Sequence, residues 1–436
     1  MRTQLPAVAW QSPDSRANDL DDSRADNLDN DTSTPPVEAD PLSLAEAVRR
    51  GLMIHPAVRA AIADAESAGT EVDIAEWGYF PEVDLSAGPE EFPFEDLGYD
   101  VSARQMLYDW GRVDSRVAQA TAAQRETRRA LGVAEEEAAL DIVEVYLDVL
   151  AARRRLAVTR TYVDDLTRLE DLTRDRGSSG YADSSERGRV ALDLARAQDD
   201  LASARGDIRE AESQFRVLVG ANADALETPM PAGLTDQLAR GDTLADWIVS
   251  APGYRQAVAA AEQAEAELEE SRAALKPQLN LEGSLQRRQI GGELENDSVI
   301  GFRLRMDTLQ GLANFQRPEA ARQRLEAARF RIDDQRREIR RTLLTLIENA
   351  EVYRDRESAL ETQREEATAV GDVYDDQFAI GRREVNDLLT IRQQAFTAEQ
   401  QLVDLDSQQK RIQYRAASQL GLIRPLIIDR LGEGTP

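Results

Sequence analysis

DIVEVYLDVLAARRRLAVTR, residues 141–160, is the middle of a long helical segment that determines the architecture of this chain. The segment extends over residues 112–175, contains no proline and has a single glycine, Gly132. Alanine, leucine, arginine and glutamate dominate it, and these residues favour helix. A helix of ~60 residues is a rod of roughly 90 Å. Such a rod is stable when partner helices bury an apolar stripe along it, so the sequence predicts coiled-coil packing.

A second segment, residues 319–376, has the same character, with Gly371 as its only glycine and no proline. It predicts a second rod of similar length. The apolar positions that we expect to face partner helices are Leu140, Val143, Val145, Leu147, Val149 and Leu150 on the first rod, and Leu343, Leu346, Ile347 and Tyr353 on the second.

The two rods belong to an internal duplication. A shift of 196 residues places residues 55–88 on 251–284 without a gap, so that HPAVR at 55–59 meets APGYR at 251–255. Each half then reads as helix, strand, strand, very long helix, glycine-containing turn and long helix. A repeat of this kind indicates two copies of one structural unit.

Each rod ends at a short turn that reverses the chain, RGSSGYAD at 176–183 and FAIGRREV at 378–385. Gly180 and Gly381 fit the left-handed position that ends a helix. Asp183 and Glu384 place a carboxylate near the start of the return helix, where the helix dipole favours negative charge. The sequence therefore predicts one very long helical hairpin in each half.

Two extended segments precede each rod, and all four alternate between apolar and polar residues, which indicates strands with one apolar face. The apolar positions are Val83, Leu85, Ala87, Tyr99, Val101, Ala103, Leu279, Leu281, Ile300, Phe302, Leu304 and Met306. Four such strands cannot hide their edges alone. In a membrane barrel, lipid covers the apolar face and oligomerisation closes the edges. Three protomers would supply twelve strands and a pore, whereas a barrel of eight is filled by its own side chains. The alternative is a small soluble sheet that caps a cytosolic coiled coil.

Composition excludes several kinds of function. The net charge of −28 disfavours nucleic acid as a partner, because phosphate binding requires a basic surface. The chain has no cysteine and one histidine, His55, so thiolate metal sites and histidine-based catalysis are poorly supported, and we expect no cofactor and no enzyme. His55 precedes Pro56 and is expected at a helix start. The sequence has no apolar run long enough for a transmembrane helix and no clear signal peptide in its first residues.

Several motifs resemble those of the TolC-type outer-membrane factors. They are LSLAEAV at 42–48 followed by HP at 55–56, QMLYDWGR at 105–112, FAIG at 378–381 and QLG at 419–421. The resemblance covers residues 42–422. It implies mainly α-helical protomers with a β-barrel segment, joined as a homotrimer with a twelve-stranded barrel in outer-membrane lipid of a Gram-negative cell.

The resemblance also implies partners and a domain organisation. The helical tunnel would cross the periplasm and meet a periplasmic adaptor and an inner-membrane pump, either an ABC exporter or an RND pump. The form LYDWGR at 107–112 is more similar to the type I secretion branch, which exports unfolded proteins, than to the multidrug efflux branch. The expected divisions are a disordered acidic leader at 1–41, a first repeat at 42–220, an equatorial linker at 221–243, a second repeat at 244–422 and a tail at 423–436.

In the family, aspartates after the second turn form a ring at the periplasmic entrance. Asp387, six residues after Gly381, occupies the matching position, and Thr390 stands where a second aspartate is expected. The resemblance therefore implies a gate or selectivity ring of Asp387 carboxylates, with Glu384 or Asn386 contributing. Like charges brought together repel, which favours cation binding.

Salt bridges at the tips are candidates for a lock on the closed state, with Arg382 and Arg383 on one side and Asp183 and Glu186 on the other. The alternative is that these charges form a solvated helix end. The expected junction between barrel and tunnel consists of Tyr108, Asp109, Trp110 and Gly111. Its aromatic residues, with Trp77 and Tyr79, either form an interfacial belt or pack in the transition.

Two other protein classes compete with a channel. A coiled-coil scaffold would have apolar heptads without alternating strands. A periplasmic adaptor would carry one helical hairpin between several β-domains, whereas this sequence predicts two hairpins in a duplicated chain.

Overall fold

A computed structural model describes residues 41–89, 97–178, 184–229, 233–240, 244–290, 293–306 and 312–427. The predicted leader, apart from Pro41, lies outside these residues. The helices and strands are, in chain order, α1 (Leu44–Ile54), α2 (Pro56–Glu76), β1 (Glu82–Pro89), β2 (Leu97–Tyr108), α3 (Arg112–Ser178), α4 (Ser184–Val219), α5 (Leu234–Arg240), α6 (Leu244–Ser250), α7 (Pro252–Ala273), β3 (Gln278–Ile290), β4 (Glu293–Arg305), α8 (Arg317–Ala379), α9 (Val385–Leu420) and α10 (Ile423–Ile427).

This order confirms the predicted duplication. The series α1, α2, β1, β2, α3, α4 is repeated as α6, α7, β3, β4, α8, α9. The aligned prolines Pro56 and Pro252 each occupy the first turn of a helix. The backbone N–H that proline lacks would have no partner within the helix at this position. His55 is the residue that precedes α2, as predicted.

The rods are confirmed as α3, of 67 residues, and α8, of 63 residues. Each is followed by a return helix of 36 residues, α4 or α9. The predicted apolar stripes face a shared core, in which Val143, Leu147 and Leu343 are buried beside Tyr146 and Phe215. The coiled-coil prediction therefore holds along the middle of both rods.

The four strands form one antiparallel sheet in the order β1-β2-β3-β4. Its register places the apolar positions of all four strands on one face. Leu85 lies opposite Val101, and Val101 lies opposite Leu285 on β3. Leu281 in turn lies opposite Phe302 on β4. The predicted alternation is thus confirmed, and β1 and β4 are the two edge strands within the chain.

The predicted linker contains helix α5 and is tied to the start of the first repeat. The Leu42 N–H donates to the Ala225 carbonyl at 2.9 Å, and the Glu227 N–H donates to the Leu42 carbonyl at 3.2 Å. The buried Tyr146 hydroxyl lies 2.8 Å from the Leu42 oxygen and 2.7 Å from the Glu227 oxygen. These bonds fix the linker to the middle of α3.

No helix within the described ranges is long and apolar enough to cross a membrane.

Candidate functional sites at the helix tips and the strand–helix junction

The turn between α8 and α9 has the geometry that the sequence predicted. Gly381 adopts φ 78°, a left-handed conformation that glycine enters without strain. The Arg382 N–H donates to the Gln377 carbonyl at 2.8 Å, and the Gly381 N–H donates to the Phe378 carbonyl at 3.0 Å. These bonds satisfy carbonyls at the end of α8. Gly180 and Asp183, predicted for the other turn, lie outside the described residues.

Asp387 lies in the first turn of α9 and is bound by an arginine of the same chain. Arg383 Nη1 donates to Asp387 Oδ2 at 3.1 Å, and the guanidinium stacks over the Tyr374 ring at 4.1 Å. The Arg383 Nε also donates to Gln377 Oε1 at 3.1 Å. Arg383 is therefore held in place, and the Asp387 carboxylate, 44% exposed, carries a fixed counter-charge.

The other residues predicted for the ring have different environments. Glu384 is exposed and precedes α9 with extended backbone, without a side-chain bond to the helix start. Asn386 accepts a hydrogen bond from Arg189 Nη1 on α4 at 2.9 Å. Arg382 is exposed. Asn386 thus connects the two hairpins rather than standing free beside Asp387.

Near the tips, the hairpins are joined by the ion pairs of Arg392, a residue that sequence analysis did not select. Further from the tips, four other ion pairs also join α3 to α9. Arg392 on α9 lies 3.5 Å from Asp165 on α3 and also binds Asp375 on α8. The predicted pairing of Arg383 with Glu186 is not formed within the chain, because Arg383 binds Asp387. Arg392 therefore joins three of the four long helices.

An apolar core inside the tip supports these polar contacts. The Tyr162 and Phe396 rings stack at 4.1 Å, and Phe378 and Leu388 are fully buried beside them. The Arg176 guanidinium lies over the Phe378 ring at 4.2 Å. The two hairpins thus share one core at the tip, and separating them would expose it.

At the junction between β2 and α3, the side chain of Asp109 holds the chain reversal. Asp109 is buried and accepts the backbone N–H of Gly111 at 3.0 Å and of Val113 at 2.6 Å. Trp110 and Gly111 both have positive φ, 55° and 83°. Such a conformation is unusual for tryptophan, and the Asp109 bonds stabilise it. The Trp110 ring meets the Tyr108 ring edge-on at 4.8 Å, and both rings remain exposed.

The polar face of the sheet carries a row of paired charges next to this junction. Arg104 on β2 bonds Glu82 at 2.9 Å and Glu282 at 3.2 Å, and these carboxylates lie directly opposite it on β1 and β3. Glu282 also binds Arg303 at 2.7 Å and Arg305 at 3.3 Å on β4. One row of ion pairs therefore crosses all four strands.

A buried carboxylate on α3 fixes the C-terminal segment. Glu136 accepts the backbone N–H of Ile423 at 3.0 Å and of Arg424 at 3.4 Å. Burial raises the pKa of Glu136 to about 7, although these two bonds act in the opposite direction. Arg424 additionally pairs with Glu135. Helix α10 is thus attached to the first rod through a titratable group.

Comparison with known proteins gives both a family and a fold. The family model described as outer membrane efflux protein matches residues 49–221 and 246–421. Protein CyaE of Bordetella pertussis is 27% identical over 365 residues, which cover 76% of this chain and 69% of that protein. A membrane protein from Pseudomonas aeruginosa superposes with a TM-score of 0.74 at 18% identity, over 86% of this chain and 93% of its own. The open state of the MtrE outer membrane channel of Neisseria gonorrhoeae gives 0.71 at 16% identity, over 87% and 88%.

Proposed function

The chain belongs to the outer membrane efflux protein family, and we propose that it is one protomer of a homotrimeric channel in the outer membrane of a Gram-negative cell. Its sheet supplies four strands of a twelve-stranded barrel, and its two hairpins supply a third of a helical tunnel that extends into the periplasm. The channel is a passive duct. Passage through it depends on the shape and charge of its lumen and involves no chemical step.

The amphipathic sheet is the observation that carries this proposal. Ile300 is 82% exposed, Phe302 75% and Leu85 74%, all on one face. The opposite face carries the row of ion pairs from Glu82 to Arg305. An apolar face of this size is stable in lipid, and a charged face is stable toward water. Closure of the edge strands β1 and β4 between protomers removes the unpaired edges.

Disulfide crosslinking between β1 and β4 tests this closure, because the chain has no cysteine of its own. Within one chain, these strands are separated by two others, about 14 Å at the usual strand spacing, beyond the reach of a disulfide. Ser86→Cys on β1 is combined in turn with Asp297→Cys, Val299→Cys and Gly301→Cys on β4, all on the polar face. We expect at least one pair to give covalent trimers in membranes. Ser86→Cys alone is the control, and monomers with every pair contradict the barrel.

We propose protein secretion as the task of this duct. The LYDWGR junction, which is similar to the type I secretion branch, supports this choice. The channel would then receive unfolded protein from an inner-membrane ABC exporter through a periplasmic adaptor that docks at the helix tips. The family also includes efflux proteins by its description, so small-molecule efflux, with an RND pump, is the competing task.

An assay in cells distinguishes the two tasks. The gene is expressed in a strain that lacks its own outer-membrane export channel, together with the genes for an ABC exporter, its periplasmic adaptor and its protein substrate. Appearance of an exporter-dependent protein in the medium, without a change in drug susceptibility, supports secretion. Restored drug resistance without a secreted protein assigns the channel to efflux.

We further propose that the helix tips are the gate. The tip turns bring Asp387 of three protomers around one axis, where Arg383 of each chain partly neutralises the carboxylate. Arg392, bound to Asp165 and Asp375, holds the second hairpin against the first. Opening then consists of a movement of the hairpins that breaks these contacts.

A further inference from the structure

A cavity of about 700 Å³ lies between the base of the sheet and the helices that flank it. One wall is the polar face of the strands, with Glu82, Arg104 and Asn280. The other is formed by the end of α2, by Trp77, which directly follows it, and by the first turns of α3, including Arg116. Its volume lies within the range of small-molecule sites. Neither the barrel nor the gate requires an open space here.

The charge of this cavity is opposite to that of the chain. Of the lining residues that the structure describes, four are arginines, Arg104, Arg112, Arg116 and Arg305, and only Glu82 is acidic. The whole chain has a net charge of −28. Among the described residues, no carboxylate lies within ion-pair distance of Arg116, whereas Arg104 and Arg305 are engaged by Glu82 and Glu282. The cavity therefore has an excess of positive charge.

The buried side chain of Asn280 indicates that a hydrogen-bonding partner belongs in this cavity. Its side chain is 1% exposed, and neither its amide nitrogen nor its amide oxygen has a hydrogen-bond partner in the part of the chain that the structure describes. Buried carboxamides are almost always hydrogen-bonded, since leaving both atoms unpaired is unfavourable. An occupant that accepts from Nδ2 and donates to Oδ1 would satisfy both atoms.

We propose that this cavity binds a small oxyanion, a carboxylate or a phosphate that carries an O–H or N–H donor. Arginine guanidinium groups recognise both anions through paired N–H donors. Arg116 supplies unpaired positive charge from the helical wall. Arg305, which shares the single Glu282 carboxylate with two other arginines, adds charge from the strands, and the Asn280 amide oxygen accepts from the donor beside the anion. Binding goes beyond the proposed function and does not depend on it. Only one consequence rests on the proposed channel function. Because the site lies on the polar face of the sheet, a bound anion would lie on the side of the barrel wall that faces the channel.

Calorimetric titration of the full-length protein in detergent tests the binding. Citrate is the carboxylate probe, and inorganic phosphate, in its hydrogen-phosphate form, is the phosphate probe. We expect saturable binding of at least one of them below about 10 mM. Arg116→Gln, at an exposed helix position, should weaken it by about tenfold. Asn280→Asp, which puts a like charge beside the anion, should weaken it further. Arg340→Gln is the matched control, because it removes an exposed arginine from α8, outside the cavity.

The outcomes separate this site from the channel function. Binding that is lost with Arg116→Gln and kept with Arg340→Gln supports the site, whether or not the protein conducts ions. The same dependence for citrate alone or phosphate alone identifies the class of anion. Absence of saturable binding of both probes overturns the proposal, as does equal weakening by Arg116→Gln and Arg340→Gln. If Asn280→Asp does not fold, Arg116→Gln still decides.

Discussion

Asp387 shows how one residue predicted from a motif acquires a partner that the motif does not specify. Its place after the tip turn followed from the sequence, whereas the guanidinium of Arg383 at 3.1 Å and the stacking of that group on Tyr374 are results of the folded tip. A carboxylate with a fixed counter-charge attracts cations less strongly than a free one. The selectivity of the proposed gate therefore depends on both residues.

Two substitutions at this pair should act in opposite directions. Asp387→Asn removes the negative charge and should lower the cation-to-anion permeability ratio of the channel severalfold, together with its block by polyvalent cations. Arg383→Gln removes the counter-charge and should raise both. Reversal potentials in a salt gradient measure the ratio. Ion selectivity that Asp387→Asn leaves unchanged would remove Asp387 from the gate ring.

Glu136 makes the stability of the protein depend on pH. Its pKa in the folded protein, about 7, lies above the ordinary value of 4.5 because of burial. The folded state therefore binds the proton more tightly than the unfolded state, and stability falls as the pH rises from 4.5 to 7. At about 1.4 kcal/mol per pKa unit, the fall from this group is at most roughly 3.5 kcal/mol.

Glu136→Gln tests this dependence, because glutamine keeps an acceptor oxygen for the Ile423 N–H but does not titrate. We expect the variant to be more stable than the natural protein at pH 8 and about equally stable at pH 5. Thermal unfolding followed by tryptophan fluorescence at the two pH values gives the comparison. If the stability of the variant differed from that of the natural protein by the same amount at both pH values, the pH dependence could not be assigned to the Glu136 carboxyl.

The residues that sequence analysis missed have partners far away in the chain. Arg392 meets Asp165, Glu282 meets Arg104, and Glu136 meets the backbone at 423–424. No local pattern marks such pairs, since they arise only when the two repeats pack against each other. Asp109, which the sequence placed at the junction, is different: an aspartate two residues before a glycine at the start of a long helix is a local signal for bonding to backbone N–H groups.

Among the elements, the long helices and the strands were predicted because their signals are local and repeated. The rods expected at 112–175 and 319–376 are helices over Arg112–Ser178 and Arg317–Ala379. The alternation of apolar and polar residues along the strands was strict enough to predict which residues of each strand lie on the apolar face. The short helix α5 inside the predicted linker was not foreseen. Its seven residues form few helical bonds of their own, so tertiary packing decides whether it exists.

At the scale of elements, the contact of Arg392 with Asp165 is the ion pair between α3 and α9 that lies nearest the tips, among the described residues. Arg392→Gln removes this ion pair, which spans 3.5 Å and contributes up to about 1 kcal/mol. The ratio of closed to open channels should therefore fall by about fivefold, visible as more frequent opening in single-channel recordings.

Arg168→Gln is the matched control for this prediction. Arg168 binds the same Asp165, but from the same helix and with a largely exposed side chain, so it does not connect the hairpins. An open fraction that rises equally in both variants would show that loss of charge near Asp165, and not the connection between hairpins, is responsible.

For the whole molecule, the two faces of the sheet predict where a charge is tolerated. Ile300 and Val299 are neighbours on β4 and both are exposed, but they lie on the apolar and the polar face. Ile300→Arg should impair membrane assembly, at up to about 2–4 kcal/mol per protomer if the site is near the bilayer midplane. Val299→Arg should assemble normally. The amount of trimer in the outer-membrane fraction measures the difference, and equal amounts from both variants would argue against lipid on the apolar face.

Planar-bilayer conductance of the purified full-length protein tests the central claim most directly. A trimer whose sheets close into one barrel predicts a stable unit conductance with a preference for cations, which Asp387→Asn reduces. A folded protein that remains in water and never inserts into the bilayer would contradict the barrel, and a coiled-coil scaffold would then be the better interpretation of the two rods.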